Sequence, residues 1–369
     1  MRVAFVHDWL VTYRGGEKVL DALLQLYPDA PVYTLFYHPE TMPASITRRK
    51  IIRPALLKPF TGLRKALLPV LPAAIEHLNL LDFDLIISTS SCVAKGCIPG
   101  PGAKHLSYIH SPMRYIWDQQ EHYVGEWLHR PLSGPLIRAV TKRLRQWDVS
   151  SNDRVDQFVA NSRFVAQRVK SLYHRDASVV HPPVEIGRFT PSAARPSKEA
   201  PYFLAAGAWV PYKRFDLAID ACRLAGKRLV IAGSGPLATV FRAAARGSPL
   251  IEMRESSSDQ EWVALMQGAE ALLFPGTEDF GITAIEALAC GTPVIAHRSG
   301  GALDFVTSGK NGLFFDEPQP ESLLEVMKSF RREDFDPQAV AATAAAYGTP
   351  AFLAAMKQQI KNVTEGLRT

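Results

Sequence analysis

A chain of 369 residues with 47% apolar and 21% charged residues has the make-up of a soluble globular protein, and its length favours two domains over one core. No apolar run reaches the ~18–20 residues that cross a bilayer, which excludes an integral helical membrane protein. The net charge of +6 is lopsided: residues 1–180 carry 23 Lys and Arg against 15 Asp and Glu, the remainder 19 against 21, so an anionic partner or surface is expected at the N-terminal half.

The opening MRVAFVHDWL, with one arginine, a short apolar run and then His7-Asp8, reads as a β-strand and not as a signal peptide. Gly15 and Gly16 follow it, where an ordinary strand-to-helix turn would also put glycine. Residues 41–75 hold seven Lys and Arg (Arg48, Arg49, Lys50, Arg53, Lys58, Arg64, Lys65) among apolar residues, and no acid. That composition fits a segment lying on an anionic membrane surface, and equally a pair of amphipathic helices with a solvated basic face. No recognition motif accompanies the charge, so nucleic acid is not expected. Strand-like runs then recur as FDLIISTSS, KHLSYIHS, QFVANS and ASVVHPPV. Cys92, Cys97, Cys222 and Cys290 sit among apolar or small residues, and the spacing of the first two suits neither zinc nor a redox pair. Reduced thiols in a cytoplasmic protein are expected.

After the Pro-, Ala- and Ser-rich stretch that begins at Pro182-Pro183, the series restarts with YFLAAGAW, RLVIAGSG, EALLFPG and PVIAHRS, alternating with helical runs such as FDLAIDACRLAG and DQEWVALMQGA. Strands alternating with helices predict parallel sheets, and two such series predict two doubly wound, Rossmann-like domains. The predicted boundaries are 1–181 for the first domain, 202–349 for the second and 182–201 for the linker, with a helix in 350–369 packing back toward the first domain. Ligands of such folds bind at the carboxyl ends of the strands, here expected in a cleft between two lobes.

The densest signal is PGTEDFGITAIEALACGTP, residues 275–293. Pro275-Gly276 turn the chain after a buried strand, and ITAIEALAC is a helix stopped by Gly291 and Pro293. Phe280, Gly281 and Ile282 then form the helix N-terminus, whose amides lack intrahelical partners and attract anions. Glu278 lies in the loop before it and Glu286 over a turn inside it. An ordinary loop and helix would use Glu278 to complement the helix dipole and Glu286 as a solvated face; a sugar-nucleotide site would use both as hydroxyl acceptors. Asp82-Phe83-Asp84 and Asp334-Phe335-Asp336 match D-x-D, but neither follows a strand at its carboxyl end, so neither is read as a metal site.

EDFGITAIEALACGTPVIA resembles the E-x7-E signature of the family 4 retaining GT-B glycosyltransferases, and VPYKRFDLAI resembles their lysine segment. VHDWLVTYRGGEKVL and YIHSPMRYIWD resemble the N-terminal loop and the histidine segment. These stretches run from residue 3 to 301 in the family's order, and their wording is closest to a bacterial mannosyltransferase-like branch that builds surface polysaccharides. The resemblance implies a GT-B fold and transfer of a hexose, mannose from GDP-mannose, to a hydroxyl of a lipid-linked saccharide acceptor at the inner face of the cell membrane. It implies that Glu278 binds hexose hydroxyls, Glu286 the ribose, and the amides of Phe280, Gly281 and Ile282 the sugar and diphosphate. Lys213 would neutralise the leaving diphosphate, Gly15 and Gly16 would close on the phosphates, and His110 would lie beside the hexose. No cofactor and no metal are implied. Taken alone, Lys213 reads equally as an exposed turn lysine, and His110, before Ser111-Pro112, as a structural histidine.

Two positions depart from the family. Ala208 stands where an arginine partner of the lysine is usual, with Arg214 or Arg254 the candidates to replace it among the donor-binding residues. Glu255 stands where glycine is commoner beside the base. A UDP-sugar donor, a nucleotide-sugar 2-epimerase and a two-lobed solute-binding protein are the rival readings. An epimerase would consume donor without an acceptor.

Overall fold

The computed structural model describes residues 1–64, 66–118, 133–192, 201–255 and 258–365. The chain divides into two compact units, Met1–Pro183 together with Phe352–Thr369, and Val184–Ala351. In the first unit the strands are β1 (Val3–Leu10), β2 (Val32–Tyr37), β3 (Ile51–Ile52), β4 (Leu85–Ser90), β5 (Lys104–Ile109), β6 (Gln157–Ala160) and β7 (Ala177–Val179). They form one sheet in the order β3-β2-β1-β4-β5-β6-β7, parallel throughout. The second unit contains β8 (Tyr202–Ala208), β9 (Arg228–Ser234), β10 (Ile251–Glu255), β11 (Leu272–Phe274), β12 (Val294–His297) and β13 (Gly312–Phe315). Their order is β10-β9-β8-β11-β12-β13, again all parallel.

Both sheets are therefore doubly wound. The chain runs outward from β1 and returns to β4; it does the same from β8 to β11. At these two reversals the flanking loops diverge to opposite faces and leave a crevice at the carboxyl ends, which is where such sheets bind ligands. Lys213 follows β8 and Glu278 follows β11, so the two residues flank the reversal of the second sheet.

Strand alternation sorts the first core into two faces. Val3 and Phe5 pack with Val19, Leu20 and Leu23 of the helix Gly15–Leu24, whereas Ala4 and Val6 pack on the opposite side with Leu71, Ile75 and Leu144. The last helix, Thr349–Thr364, adds Phe352, Met356 and Ile360 to the first of these faces. Their spacing of four puts them on one stripe, and each buried side chain contributes about 1.5–3 kcal/mol of transfer free energy. The second unit has a single large cluster around Leu204, Ile231, Leu272 and Ile295. Of the segment 182–201, Val184 and Phe189 pack into that cluster, and residues 193–200 lie outside the described residues.

Of the thirteen strands among the described residues, nine coincide with strand-like runs of the sequence. β3, β10 and β13 are short edge strands. β2 lies inside its sheet, and its VYTLFY after Pro31 is rich in the β-branched and aromatic residues that favour strands. Among the described residues no helix is long and apolar enough to cross a membrane. The four cysteines are free and buried, and desolvation pushes the thiols of Cys97, Cys222 and Cys290 up to about 12.

Candidate active site

β8 ends in Ala208, and the next residue, Trp209, is fully buried edge-on against Phe241 with centroids 5.7 Å apart. Its amide donates to the Ser234 carbonyl at 2.8 Å, and its carbonyl accepts from the Leu237 amide at 3.2 Å. This pins the loop to the end of β9. A 3-10 turn over Pro211–Lys213 and a left-handed Arg214 (φ 52°) then redirect the chain into the helix Phe215–Ala225. The redirection turns Lys213 inward. Its side chain is 7% exposed, its Nζ donates to Glu278 Oε1 at 2.5 Å, and the Glu278 side chain is 15% exposed. The exposed-turn reading of Lys213 is thus replaced by a nearly dry ion pair, beside the ring of Phe274 at 5.9 Å.

The Glu278 loop is held by its backbone. The Glu278 carbonyl accepts from the Gly301 amide at 2.9 Å, and Thr277 Oγ1, Ser299 Oγ and His297 Nδ1 form a chain with separations of 2.8 and 2.6 Å. Gly301 and Ser299 come from the loop after β12, and His297 from the end of that strand. Phe280 precedes the helix with its ring buried against Phe305 and Tyr347. Gly281 is the N-cap at φ 117°, ψ 58°, and a Cβ there would stand 2.7 Å from Phe274 Cζ. That backbone conformation is open to glycine and closed to most L-residues. The helix Ile282–Ala289 follows, and its first amides, from Ile282 and Thr283, have no intrahelical acceptor. Glu286, one turn in, is 7% exposed rather than on a solvated face, and its Oε2 accepts from Trp262 Nε1 at 3.1 Å.

The other basic candidates face elsewhere in this structure. Arg214 forms a bidentate pair with Asp216, with separations of 3.1, 3.1 and 2.9 Å. Arg254 pairs with Glu252 on β10, and Glu255 with Arg242 at 2.8 and 2.9 Å. One carboxylate of each D-x-D stretch is engaged by the fold: Asp84 accepts from the Arg2 amide at 2.6 Å, and Asp336 caps a helix by accepting from the Ala339 amide at 2.7 Å.

In the first unit, Gly15 and Gly16 are the first two residues of the helix Gly15–Leu24. His110 follows β5, and its Nε2 lies 3.5 Å from the place a Cβ on Gly16 would take, so a side chain at that position would meet the ring. His110 Nε2 is covered and has no hydrogen-bond partner among the described residues. Desolvation, with the nearby His7 second, holds its pKa down at about 3, so the imidazole is neutral. His7 Nδ1 is 2.6 Å from Thr89 Oγ1, and its Nε2 is 3.8 Å from Glu17 Oε1. The histidine segment is anchored from behind: Arg145 Nε donates to the Ile116 carbonyl at 2.7 Å, Arg168 Nη1 to Ser111 Oγ at 2.8 Å, and Trp117 Nε1 to Asp148 Oδ2 at 2.7 Å. Asp148 is itself buried opposite Lys95 at 3.2 Å. Asp8, in the sequence only a polar residue of the opening strand, has a structural role here. Its buried carboxylate accepts from the amides of Ser91, Cys92, Val93 and Ala94 at 2.6–2.9 Å, which commits the amide nest after β4 to an internal anion.

Comparison with known proteins adds to this geometry. Residues 13–188 match the family model described as Glycosyltransferase Family 4, and residues 189–348 match the model described as Glycosyl transferases group 1. The chain is 34% identical over 184 residues to the D-inositol 3-phosphate glycosyltransferase of Mycolicibacterium smegmatis, a match covering 44% of this chain and 42% of that protein. It is 37% identical over 106 residues to a GDP-mannose-dependent alpha-(1-6)-phosphatidylinositol dimannoside mannosyltransferase of Mycobacterium tuberculosis, covering 28% and 26%. These matches span under half the length of the curated relatives. In fold, the chain is similar to Anabaena HepE in its complex with UDP, with a TM-score of 0.69 over 98% of this chain and 100% of that one, at 16% identity. The likeness extends over both parallel-sheet units, the GT-B architecture expected from the sequence.

Proposed function

From the premise that the chain belongs to the glycosyltransferases that join a family 4 domain to a group 1 domain, we propose that it moves a hexose from a nucleotide diphosphate to a hydroxyl of a lipid-linked oligosaccharide in bacterial polysaccharide synthesis. The reading takes mannose from GDP-mannose as the donor and retention as the stereochemical course. The observation that carries it is the largely buried Lys213–Glu278 pair at the reversal of the second sheet, beside the N-terminus of the helix Ile282–Ala289. An ammonium offers three N–H donors, of which Glu278 uses one, so Lys213 can also donate to a departing diphosphate. Glu278 then accepts from hexose hydroxyls, Glu286 accepts from the ribose, and the amides of Phe280, Gly281 and Ile282, with that of Thr283 beside them, meet the sugar and diphosphate. Gly15, Gly16 and the neutral His110, close together in the first unit, are the further residues assigned to the donor.

The bond between sugar C1 and the phosphate oxygen breaks, and a bond from C1 to the acceptor oxygen forms on the same face. The acceptor's proton goes to the leaving phosphate, and the nucleoside diphosphate departs. Concentrating positive charge where that phosphate develops its negative charge is the main electrostatic task, and this reading assigns it to Lys213 and the helix amides. The GDP-mannose dependence of the Mycobacterium tuberculosis relative supports mannose, whereas the UDP complex of HepE supports the alternative of a UDP-sugar.

A thermal-shift panel with GDP-mannose, UDP-glucose, UDP-GlcNAc, GDP and UDP tests the donor. A ligand at ~100 times its dissociation constant adds about 2.7 kcal/mol, which is readily seen. The expected result is a shift with the guanine nucleotides alone. A shift with the uridine nucleotides alone overturns the donor, and no shift with any of the five overturns the reading.

The lipid-linked acceptor would bring the enzyme to a membrane, and the basic stretch 48–65 supports this. Arg48, Lys50 and Lys58 are exposed there, and so are Leu56 and Phe60 at 81% and 40%, an apolar and cationic mixture suited to an anionic interface. Arg53 is tied to the Tyr37 carbonyl at 2.9 Å, and Lys65 lies outside the described residues. Vesicles of phosphatidylcholine are expected to bind the chain only when phosphatidylglycerol is added. Each of Arg48→Glu, Lys50→Glu and Lys58→Glu should then remove about 1 kcal/mol or more of that affinity. Equal binding to both vesicle types, or to neither, would refute peripheral attachment through this segment.

A further inference from the structure

Trp262 is the fourth residue of the helix Asp259–Gly268. That helix is fixed at its start by a capping box in which the Ser258 amide donates to Glu261 Oε2 at 2.8 Å and the Glu261 amide donates to Ser258 Oγ at 3.3 Å. Asp259 adds an ion pair with Arg188 at 2.8 Å. The indole body packs on the core of the second unit while Nε1 reaches Glu286 Oε2 at 3.1 Å. We infer that Trp262 sets the orientation in which Glu286 reads a nucleoside, so that Trp262 determines how strongly this chain prefers ribonucleotides to nucleotides lacking the ribose hydroxyls.

The chemistry of the pair supports a positioning role. Indole N–H can only donate, and an ionised carboxylate can only accept, so the bond has one possible direction. A carboxylate has about four lone-pair sites, so it can accept from both hydroxyls of a vicinal diol as well as from the indole. With Oε2 held by a rigid ring on a capped helix, one oxygen of the carboxylate is anchored before a nucleotide arrives. A serine or tyrosine in that place could reverse its role and compete for the same hydroxyls; tryptophan cannot. The inference rests on the reading that Glu286 binds the ribose, and its test separates the two.

Binding of GDP, UDP and their 2′,3′-dideoxy counterparts is measured by calorimetry for the unsubstituted chain, Trp262→Phe, Trp262→Gln and Glu286→Gln, with melting temperatures alongside. The unsubstituted chain is expected to favour its preferred ribonucleotide by about tenfold or more, the effect of losing hydrogen bonds to a charged group. Trp262→Phe keeps the ring and loses the donor, and should bring that preference to about threefold or less. Trp262→Gln restores an N–H donor and should recover part of it even if its melting temperature falls with that of the phenylalanine variant. A preference unchanged in Trp262→Phe but lost in Glu286→Gln overturns the inference and keeps the ribose reading. A preference unchanged in Glu286→Gln, or no binding of any of the four nucleotides, overturns the ribose reading and the inference with it.

Discussion

Replacing Lys213 by methionine is expected to lower kcat for sugar transfer by about 10²–10³-fold, the effect of deleting one preorganised donor from a site that stabilises developing negative charge. The same change should lower stability, because it leaves the Glu278 carboxylate, 15% exposed, without its cation. Breaking a buried pair by removing one partner costs about 3–5 kcal/mol, much of it the desolvation of the charge left behind. Activity and stability would then fall together, and a poorly folded variant would mimic a catalytic defect. The double change Lys213→Met with Glu278→Gln separates them. It removes both charges, so most of the stability should return, while turnover stays at the level of the single variants. Turnover within tenfold of the parent in Lys213→Met, assayed well below its melting temperature, would refute the leaving-group role. Recovery of turnover in the double variant would show that the pair serves the fold alone.

Gly281→Ala should produce the second large effect, on the fold first and on the site through it. At φ 117° and ψ 58° an L-residue is strained by about 1–3 kcal/mol. The added methyl would also lie 2.7 Å from Phe274 Cζ and 3.2 Å from Phe305 Cζ. Those two rings are buried and meet edge-on with centroids 6.2 Å apart, so neither has room to retreat. Overpacking of that kind costs about 1–3 kcal/mol more. A total of about 2–6 kcal/mol is a large part of the about 5–15 kcal/mol that holds a domain folded. The second unit should melt roughly 5–20 °C lower, at about 2–4 °C per kcal/mol. Relief of the strain would shift the first turn of the helix Ile282–Ala289, so the thermal shift by nucleotide should shrink as well. A melting temperature within a degree or two of the parent would show that residue 281 does not hold this conformation.

How much of this was legible in the sequence differs from residue to residue. The helix Ile282–Ala289 was bounded by local chemistry alone: Gly281 before it, Gly291 and Pro293 after it, and an apolar run between. The position of Glu278 in the preceding loop followed from the same stretch. The two series of strands and helices, and with them the parallel doubly wound sheets, followed from apolar periodicity and spacing. Such features depend on residues a few places apart, and short-range backbone and burial preferences suffice to specify them. Edge strands such as β3 and β10 were lost because a two- to five-residue strand is specified by the neighbour it pairs with more than by its own side chains.

The partners of buried polar groups were a different matter. Lys213 was balanced between a solvent turn and a site residue until the structure set it against Glu278, 65 positions away. Glu286 was open between a solvated helix face and a hydroxyl acceptor, and the structure buries it beside Trp262, 24 positions earlier. Asp8 gave no sign of the four amides that enclose it 83–86 residues later. In each case the sequence determined that an ionisable group stands near the carboxyl end of a strand or the start of a helix. Which group it faces was decided by the order of strands in the sheet, through which segments distant in the chain become neighbours. A charge withdrawn from water must find an opposite charge or a hydrogen-bond partner. That demand is met in space, among whatever the tertiary fold brings within about 3 Å, and local sequence carries no record of it.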